Sequence, residues 1–407
     1  MRLSHLRPAH QIRLLQGGQE FFAALIAAVD GAVHDVRMET YIFCFDASGQ
    51  PVAAALERAA RRGIRVSLVM DGVGTSEVPA EWAQRLTQAG VQWRIFSPMG
   101  LLGLLNPGHW RRLHRKLCVV DGQVAFCGGI NVLDDFEDPN HGVLPAPRFD
   151  FAVQITGPLV EEVHDAMDQL WWRFQAVRQV RRRDFKGVWK AVRAAVQAAR
   201  QPDAPLASPA PGYTSHNARA ALLLRDNLRN RRSIERAYSK AIGEARNEII
   251  IANAYFMPGG RLRRALRMAA RRGVKVQLLL QGRYEYFMQY HAARPVYGAL
   301  LAAGVEIHEY APSFLHAKVA VIDGHWATVG SSNLDPLSFL LAREANIVVD
   351  DTVFASALRE RLVLAMREAG QQMNIATFEG RSLSQRGLDW LAYGLMRLAL
   401  LVTGNRY

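Results

Sequence analysis

The stretches His114-Arg-Lys-Leu-Cys-Val-Val-Asp121 and His316-Ala-Lys-Val-Ala-Val-Ile-Asp323 carry one eight-residue pattern, HxKxxxxD, 202 positions apart. Each copy is followed, ten residues after its aspartate, by an asparagine: Asn131 in the first and Asn333 in the second. Two copies with matching asparagines do not arise by chance in a chain of this composition. The pattern therefore predicts one site that draws residues from both copies.

Lysine is scarce in this chain, which makes its place in the motif informative. Of the 50 residues that are Lys or Arg, only six are Lys. Lys116 and Lys318 each follow a motif histidine by two residues. Because the chain uses arginine almost everywhere else, these two positions are predicted to need the compact point charge of an ammonium group.

The bulk composition is that of a large globular protein with a strong positive charge. Its 407 residues suffice for two domains, and half of them are apolar while 21% are charged. The net charge of +13 favours anionic partners such as phosphate-bearing substrates, acidic membrane surfaces or nucleic acid. Cys44, Cys118 and Cys127 lie in apolar stretches without metal-ligand spacing, so we expect reduced core cysteines.

A longer repeat surrounds the motif and predicts the fold. Residues 53–71 resemble 263–281, and each reads as a helix that ends near a glycine and leads into an apolar strand. This alternation indicates an α/β protein of two similar halves, each a mixed, largely parallel sheet flanked by helices, with the active site at their interface. We expect a first half over 1–201, a Pro/Ala-rich linker over 202–218, a second half over 219–372 and an apolar tail over 373–407.

The duplicated motif resembles the signature of the phospholipase D superfamily, HxKxxxxDx6GSxN. The second half matches it closely, whereas the first half has Gly129 and Ile130 where the signature has a serine and a variable residue. Within the superfamily the chain is similar to the short bacterial cardiolipin synthases, over about residues 15–370. The stretches that carry this closer similarity are 225–227, 251–256 and 325–336.

The motif residues have the types needed to attack a phosphodiester, an anion that repels nucleophiles. Lys116 and Lys318 place positive charges at the phosphoryl oxygens, and Asn131, Asn333 and Ser332 are predicted to donate hydrogen bonds to them. One histidine attacks phosphorus to form a phosphohistidine. The other protonates the departing oxygen and later deprotonates the incoming alcohol. No step in this scheme requires a metal or a cofactor, so neither is expected.

The spacing alone does not say which histidine is the nucleophile. The resemblance implies that the N-terminal one, His114, attacks and that His316 is the acid and base. It also implies an acidic residue downstream of each motif that fixes the histidine tautomer. We expect Asp150 to do this for His114 and Glu344 for His316. The motif aspartates, at the far end of the motif strand, are assigned a supporting role: Asp121 and Asp323.

Several segments are candidates for contact with lipid. The leucine-rich stretch 99–110 predicts either a membrane-dipping loop or packed core, and 284–290 is an aromatic cluster at the matching place. The segment 390–402 predicts an interfacial helix or a helix packed across the two halves, and the basic stretch 178–200 a solvated face or an anionic contact. Neither a signal peptide nor a spanning helix is expected.

The resemblance implies a peripheral enzyme on the cytoplasmic side of the inner membrane that makes cardiolipin from two molecules of phosphatidylglycerol, or from phosphatidylglycerol and another phospholipid. A nuclease of the same superfamily would share the motif and the charge, but leucines rather than aromatics flank the motif, so no nucleic-acid partner is expected. A lipid-binding scaffold without activity is disfavoured because both motifs are intact. Phospholipase D and phosphatidylserine synthase activities stay open, as does the oligomeric state.

Overall fold

A computed structural model describes residues 6–98, 110–181, 214–226, 230–283, 287–335 and 342–402. Three predicted features fall wholly or mainly outside these ranges: the Pro/Ala-rich linker, the leucine-rich loop and most of the basic stretch. The aromatic cluster at 284–290 is described only from Phe287 onwards.

The first half alternates helices with apolar strands and ends in a long helix. Its strands are β1 Arg7–Gln16, β2 Asp35–Thr40, β3 Arg65–Asp71, β4 Gln92–Phe96, β5 Arg112–Leu113, β6 Lys116–Val120, β7 Val124–Gly128, β8 Glu137–Asp138, β9 Gly142–Val143 and β10 Phe151–Thr156. Its helices are α1 Gly17–Asp30, α2 Gly49–Arg61, α3 Ala80–Ala89 and α4 Leu159–Arg181.

The second half repeats this order and adds two helices at its end. Its strands are β11 Ser215–Arg225, β12 Glu248–Asn253, β13 Lys275–Gln281, β14 Glu306–Tyr310, β15 Lys318–Ile322, β16 Trp326–Gly330, β17 Ala342–Asp350 and β18 Gly370–Gln372. Its helices are α5 Ser233–Glu244, α6 Gly260–Arg271, α7 Phe287–Leu301, α8 Thr352–Ala369, α9 Ile375–Glu379 and α10 Leu383–Val402.

The predicted helix-to-strand turns are confirmed at equivalent places in the two halves. Gly63 lies between α2 and β3, and Gly273 between α6 and β13. Their φ angles are 88° and 89°, a left-handed conformation that favours glycine at a helix end. The same local sequence therefore starts the same parallel strand twice.

The predicted α/β class is confirmed, and the sheet is mixed. Strands β2, β3 and β4 pair parallel, as do β12, β13 and β14. The described pairs are nevertheless more often antiparallel than we expected. The reason is that each motif strand, β6 or β15, forms a hairpin with the strand after it. That hairpin then continues antiparallel into the strand that carries the downstream acid.

The two half-sheets join into one 16-stranded sheet, because β1 pairs antiparallel with β11. They also pack face to face, since β7 contacts β16 and β17. One core cluster therefore contains buried side chains of both halves, among them Leu117, Val119, Val319 and Val321 of the two motif strands. Each motif strand therefore packs one face on this shared core and the other face on the core of its own half.

The motif aspartates hold the far end of the motif strands, as expected from their supporting role. Asp121, at a φ of 53°, accepts hydrogen bonds from the backbone N–H groups of Val33, His34 and Asp35. Asp323, at a φ of 50°, accepts three equivalent bonds from residues 246–248. Each carboxylate thus ties the end of its motif strand to the start of the neighbouring strand.

We predict that Asp121→Ala and Asp323→Ala each destabilise the fold by about 1–3 kcal/mol, because three backbone N–H groups lose their acceptor. Denaturant unfolding measures this loss. The asparagine variants should lose less, since asparagine also adopts the left-handed conformation and keeps one acceptor oxygen. Folded enzyme of each variant should turn over at close to the wild-type rate. A rate that falls far more than stability would assign these residues to the chemistry instead.

Candidate active site

Each motif histidine lies against a strand of the opposite half. β5 runs parallel to β17, and the backbone N–H of His114 donates to the Arg343 carbonyl at 3.1 Å. In the equivalent arrangement, the N–H of His316 donates to the Phe149 carbonyl at 2.9 Å. Because Arg343 and Phe149 each precede an acidic residue, both histidines are placed beside a carboxylate of the other half.

The carboxylates are therefore crossed between the halves. Nδ1 of His114 lies 3.0 Å from Oε2 of Glu344, and Nδ1 of His316 lies 2.7 Å from Oδ2 of Asp150. Our expectation of the reverse pairing was wrong. It assigned to each histidine an acid downstream of its own motif, whereas the backbone that lies next to each histidine comes from the other half.

The contact between each histidine and its carboxylate determines which ring nitrogen carries the proton. A neutral imidazole that donates Nδ1–H to a carboxylate leaves Nε2 unprotonated. The Nε2 atom can then attack phosphorus or accept a proton. Each half thus supplies one imidazole and the carboxylate that orients the other.

The two carboxylates differ in what holds them. Ser331 donates a hydrogen bond to Oε2 of Glu344 at 2.5 Å. Gly129 is the equivalent residue in the first half, and a Cβ there would lie 2.4 Å from Oδ1 of Asp150. That oxygen instead accepts from the backbone N–H of Phe151 at 2.8 Å. The serine of the GSxN signature thus marks the contact between Ser331 and Glu344, which was not predicted from the sequence.

Both motif lysines are buried and bound to the backbone of their own motif. Nζ of Lys116 donates to the His114 carbonyl at 2.7 Å, and Nζ of Lys318 donates to the His316 carbonyl. The ring of Tyr41 packs on His114 with centroids 4.9 Å apart, and its centroid is 5.3 Å from Nζ of Lys116. The lysine positions are therefore fixed before any substrate arrives.

Burial and the proximity of two cations shape the charges of the site. Burial, and then the charge of Lys318, lowers the pKa of Lys116 to about 7. Burial and both lysine charges lower the pKa of His316 well below its usual value. Burial also lowers the pKa of His114, although Glu344 opposes this. Both imidazoles are therefore neutral near pH 7.

The two carboxylates shift in opposite directions. Burial raises the pKa of Asp150 to about 7, because the charge of Lys318 and other groups offsets only part of it. Burial alone would raise the pKa of Glu344. The combined effect of His114, Lys116 and the Ser331 hydroxyl is larger, and the pKa of Glu344 is therefore lowered. Glu344 is therefore the firmly ionised partner, and Asp150 is the one that readily shares a proton.

The predicted hydrogen-bond donors to phosphate are only partly placed as expected. Oδ1 of Asn131 accepts from the N–H of Ile42 at 3.2 Å, which directs its amide NH₂ elsewhere, and Asn333 is also buried. Ser332 differs from our expectation. Its side chain is fully buried and donates to the Asn333 carbonyl at 3.4 Å. Its equivalent, Ile130, packs in the first-half core.

The structure thus brings together the histidines, lysines and orienting carboxylates that were predicted, with partners exchanged. Within the described ranges, no three His, Cys, Asp or Glu side chains are grouped so that they could hold a metal ion.

The crossed pairing predicts which histidine responds to which carboxylate. In Glu344→Gln the pKa of His114 should fall by about one unit or more, because an opposite charge is lost, while His316 changes little. Asp150→Asn should act on His316 and spare His114. Proton–nitrogen NMR of ring-labelled histidine measures both.

His325 provides an internal control, because it is half exposed and pairs with Asp350 at 2.8 Å. Its resonances should not move in either variant. Equal shifts of His114 and His316 in one variant would refute the crossed pairs.

Anion binding should depend on pH through Lys116. Since its pKa is lowered to about 7, its positive charge is lost as the pH rises through that value. We predict that sulfate, whose charge is constant near neutrality, binds about tenfold more weakly at a pH of about 8 than at about 6. Lys116→Arg should weaken this dependence, because arginine stays charged, and should leave the part that comes from Asp150, whose pKa is raised to about 7. Titration calorimetry measures the affinity. A wild-type affinity that is constant over this range would contradict the shifted pKa.

Comparison with known proteins agrees with this geometry. The family model described as "Cardiolipin synthase, PLD-like domain" matches residues 25–144 and 238–363, one segment in each half. Cardiolipin synthase B of Escherichia coli is 38% identical over 356 residues, which span 88% of this chain and 80% of that protein. A cardiolipin synthase of a Geobacillus species is 29% identical over 383 residues, which span 94% and 71% of the two chains.

Solved structures support the fold. Phosphatidylserine synthase of Haemophilus influenzae superposes with a TM-score of 0.66 at 13% identity, over 97% of this chain and 94% of that one. At that identity the likeness concerns the fold alone. The duplicated motif, the match in both halves and a relative 38% identical over most of the chain show that this protein belongs to the cardiolipin synthase family of phospholipase D-like enzymes.

Proposed function

We propose that this enzyme is a phosphatidyltransferase that makes cardiolipin from two molecules of phosphatidylglycerol. The observation that carries the proposal is the pair of crossed histidine–carboxylate contacts, which supplies an attacking nitrogen and an acid–base nitrogen in one site. The cardiolipin synthases to which the chain is similar support the same product.

In the first step, Nε2 of His114 attacks the phosphorus of phosphatidylglycerol. The bond between phosphorus and the headgroup oxygen breaks, and His316 protonates that oxygen, so that glycerol leaves. In the second step, His316 removes the proton from a hydroxyl of a second phosphatidylglycerol. That oxygen displaces His114 from phosphorus, which yields cardiolipin and restores the free histidine.

The surroundings of the two histidines support this division of roles. The firmly ionised Glu344 keeps the proton on Nδ1 of His114, which leaves Nε2 free to attack. His316 must carry a proton to act as an acid, although the two lysines lower its pKa. A bound phosphodiester anion offsets those charges, so substrate binding itself raises the pKa of His316.

The proposed substrate is a bilayer lipid, so we propose a peripheral enzyme of the inner membrane, on its cytoplasmic side. None of the described helices is both long and apolar enough to cross a bilayer. The site must exclude water if cardiolipin is to be the product, because water would hydrolyse the phosphohistidine to phosphatidic acid.

The test is to incubate purified protein with phosphatidylglycerol vesicles and identify the lipid products by mass. We expect cardiolipin and glycerol from the wild type. His114→Ala and His316→Ala should each reduce turnover to near background, and the double variant should be little worse, because residues that act as a unit are non-additive.

A denaturing quench at neutral to alkaline pH, where the phosphorus–imidazole bond is stable, should trap the phosphatidyl group on His114, and the adduct should be absent from His114→Ala. An adduct on His316 instead would reverse the assigned roles. Phosphatidic acid as the sole product would replace the synthase by a phospholipase D, and substantial activity in either single variant would refute the shared site.

A further inference from the structure

The C-terminal helix α10 exposes an apolar face. Its Ala392 and Met396 are buried in the core cluster of the second half, and α10 packs along α7. The opposite face carries large apolar side chains that are about half exposed or more. These are Trp390 at 60%, Leu391 at 60%, Leu395 at 49% and Leu398 at 57%. Our alternative of a helix packed across the two halves is therefore not what the structure shows.

The orientation of α10 is fixed by polar contacts on its inner side. Asp389 is buried, lies 2.7 Å from Nδ1 of His291 and accepts from Arg381 at 2.5 Å. The hydroxyl of Tyr393 accepts from Arg263 of α6 at 3.4 Å. The helix thus directs its acid inward and its leucines outward, the reverse of an ordinary surface helix. Rotation to bury the leucines would expose these contacts.

The neighbouring helix α6 presents arginines that form no ion pair with a carboxylate in the part of the chain that the structure describes. None of its five arginines has a carboxylate oxygen within 4.0 Å among the described residues. The equivalent helix of the first half, α2, differs in this respect, since Arg58 pairs with Asp30 and Arg61 with Glu57, both at 2.7 Å. The five arginines of α6 are Arg261, Arg263, Arg264, Arg267 and Arg271.

Helices α6 and α10 contact each other near the end of the second half-sheet at which His316 lies. Asn253, the last residue of β12, pairs with Lys318 at the start of the motif strand. Helices α6 and α7 begin after the carboxyl ends of β12 and β13, and α10 contacts them through Arg263 and His291, near those beginnings. The beginning of α6, with Arg261 and Arg264, therefore lies at the same end of the sheet as His316, and α10 packs beside it.

We propose that the exposed leucine face of α10 and the arginines of α6 form one docking surface for a bilayer rich in anionic phospholipid. α10 lies in the plane of the interface, with its leucines and Trp390 among the acyl chains and Arg386 and Arg397 beside the headgroups. A second copy of the chain is the weaker occupant, because a symmetric contact through this face would bring two rows of unpaired arginines together.

This inference rests on the proposed function only for its lipid substrate, and vesicle binding tests it without catalysis. The triple variant Leu391→Ser, Leu395→Ser, Leu398→Ser should bind phosphatidylglycerol vesicles about tenfold more weakly or worse in co-sedimentation, because it loses buried apolar area. The matched control is Val353→Ser with Leu364→Ser on α8, which are exposed by 60% and 45%. This control should bind like the wild type.

The charge component is tested separately. Changing Arg261 and Arg264 to Gln should weaken binding to phosphatidylglycerol vesicles and reduce its salt dependence, with little effect on phosphatidylcholine vesicles. The matched control changes Arg58 and Arg61 of α2 to Gln, and should leave binding unchanged.

Turnover of a short-chain soluble phosphodiester separates this inference from the proposed function. Both test variants should keep it at the wild-type rate, which also shows that they fold. Vesicle binding that is unchanged in the folded leucine variant would overturn the docking surface, even if cardiolipin is made. A dimer that the leucine changes dissociate, with vesicle binding intact, would assign the face to a second copy.

Discussion

The hydrogen bond from each histidine to a carboxylate of the other half is the contact on which the site depends. It exists because the backbone just before each histidine pairs with the strand just before each acid. The shared core and the β1–β11 pairing hold these strands in register. A small rotation of one half against the other would therefore break both contacts at once and leave each imidazole free to take the wrong tautomer.

The second constraint is the enclosure of two lysines in one small space. Their mutual repulsion and burial lower the pKa of Lys116 and keep both imidazoles neutral. Before substrate binds, the two lysine charges repel each other. An anionic phosphodiester reduces this repulsion when it binds. Binding energy and readiness for proton transfer therefore come from the same interaction, because the anion that the lysines attract also restores the basicity of His316.

Much of this could be predicted from the sequence, because the motif is local and repeated. The spacing identified the histidines, lysines and structural aspartates, and the helix-to-strand turns at Gly63 and Gly273 followed from periodicity and glycine chemistry. The carboxylate partners were assigned to the wrong histidines, since nothing in the order of residues says which strand crosses to the other half. Ser332 was predicted to donate to phosphate, but its hydroxyl donates to the Asn333 carbonyl, and the adjacent Ser331 contacts Glu344. The spacing of the motif does not distinguish two adjacent serines.

Glu344 lies 230 residues after the histidine that it orients. During synthesis, the first motif is therefore complete in sequence while His114 still lacks its carboxylate. Catalytic competence arrives only when the strand β17 has emerged and docked against the first half. The topology of the chain thus delays the chemistry until both halves are present.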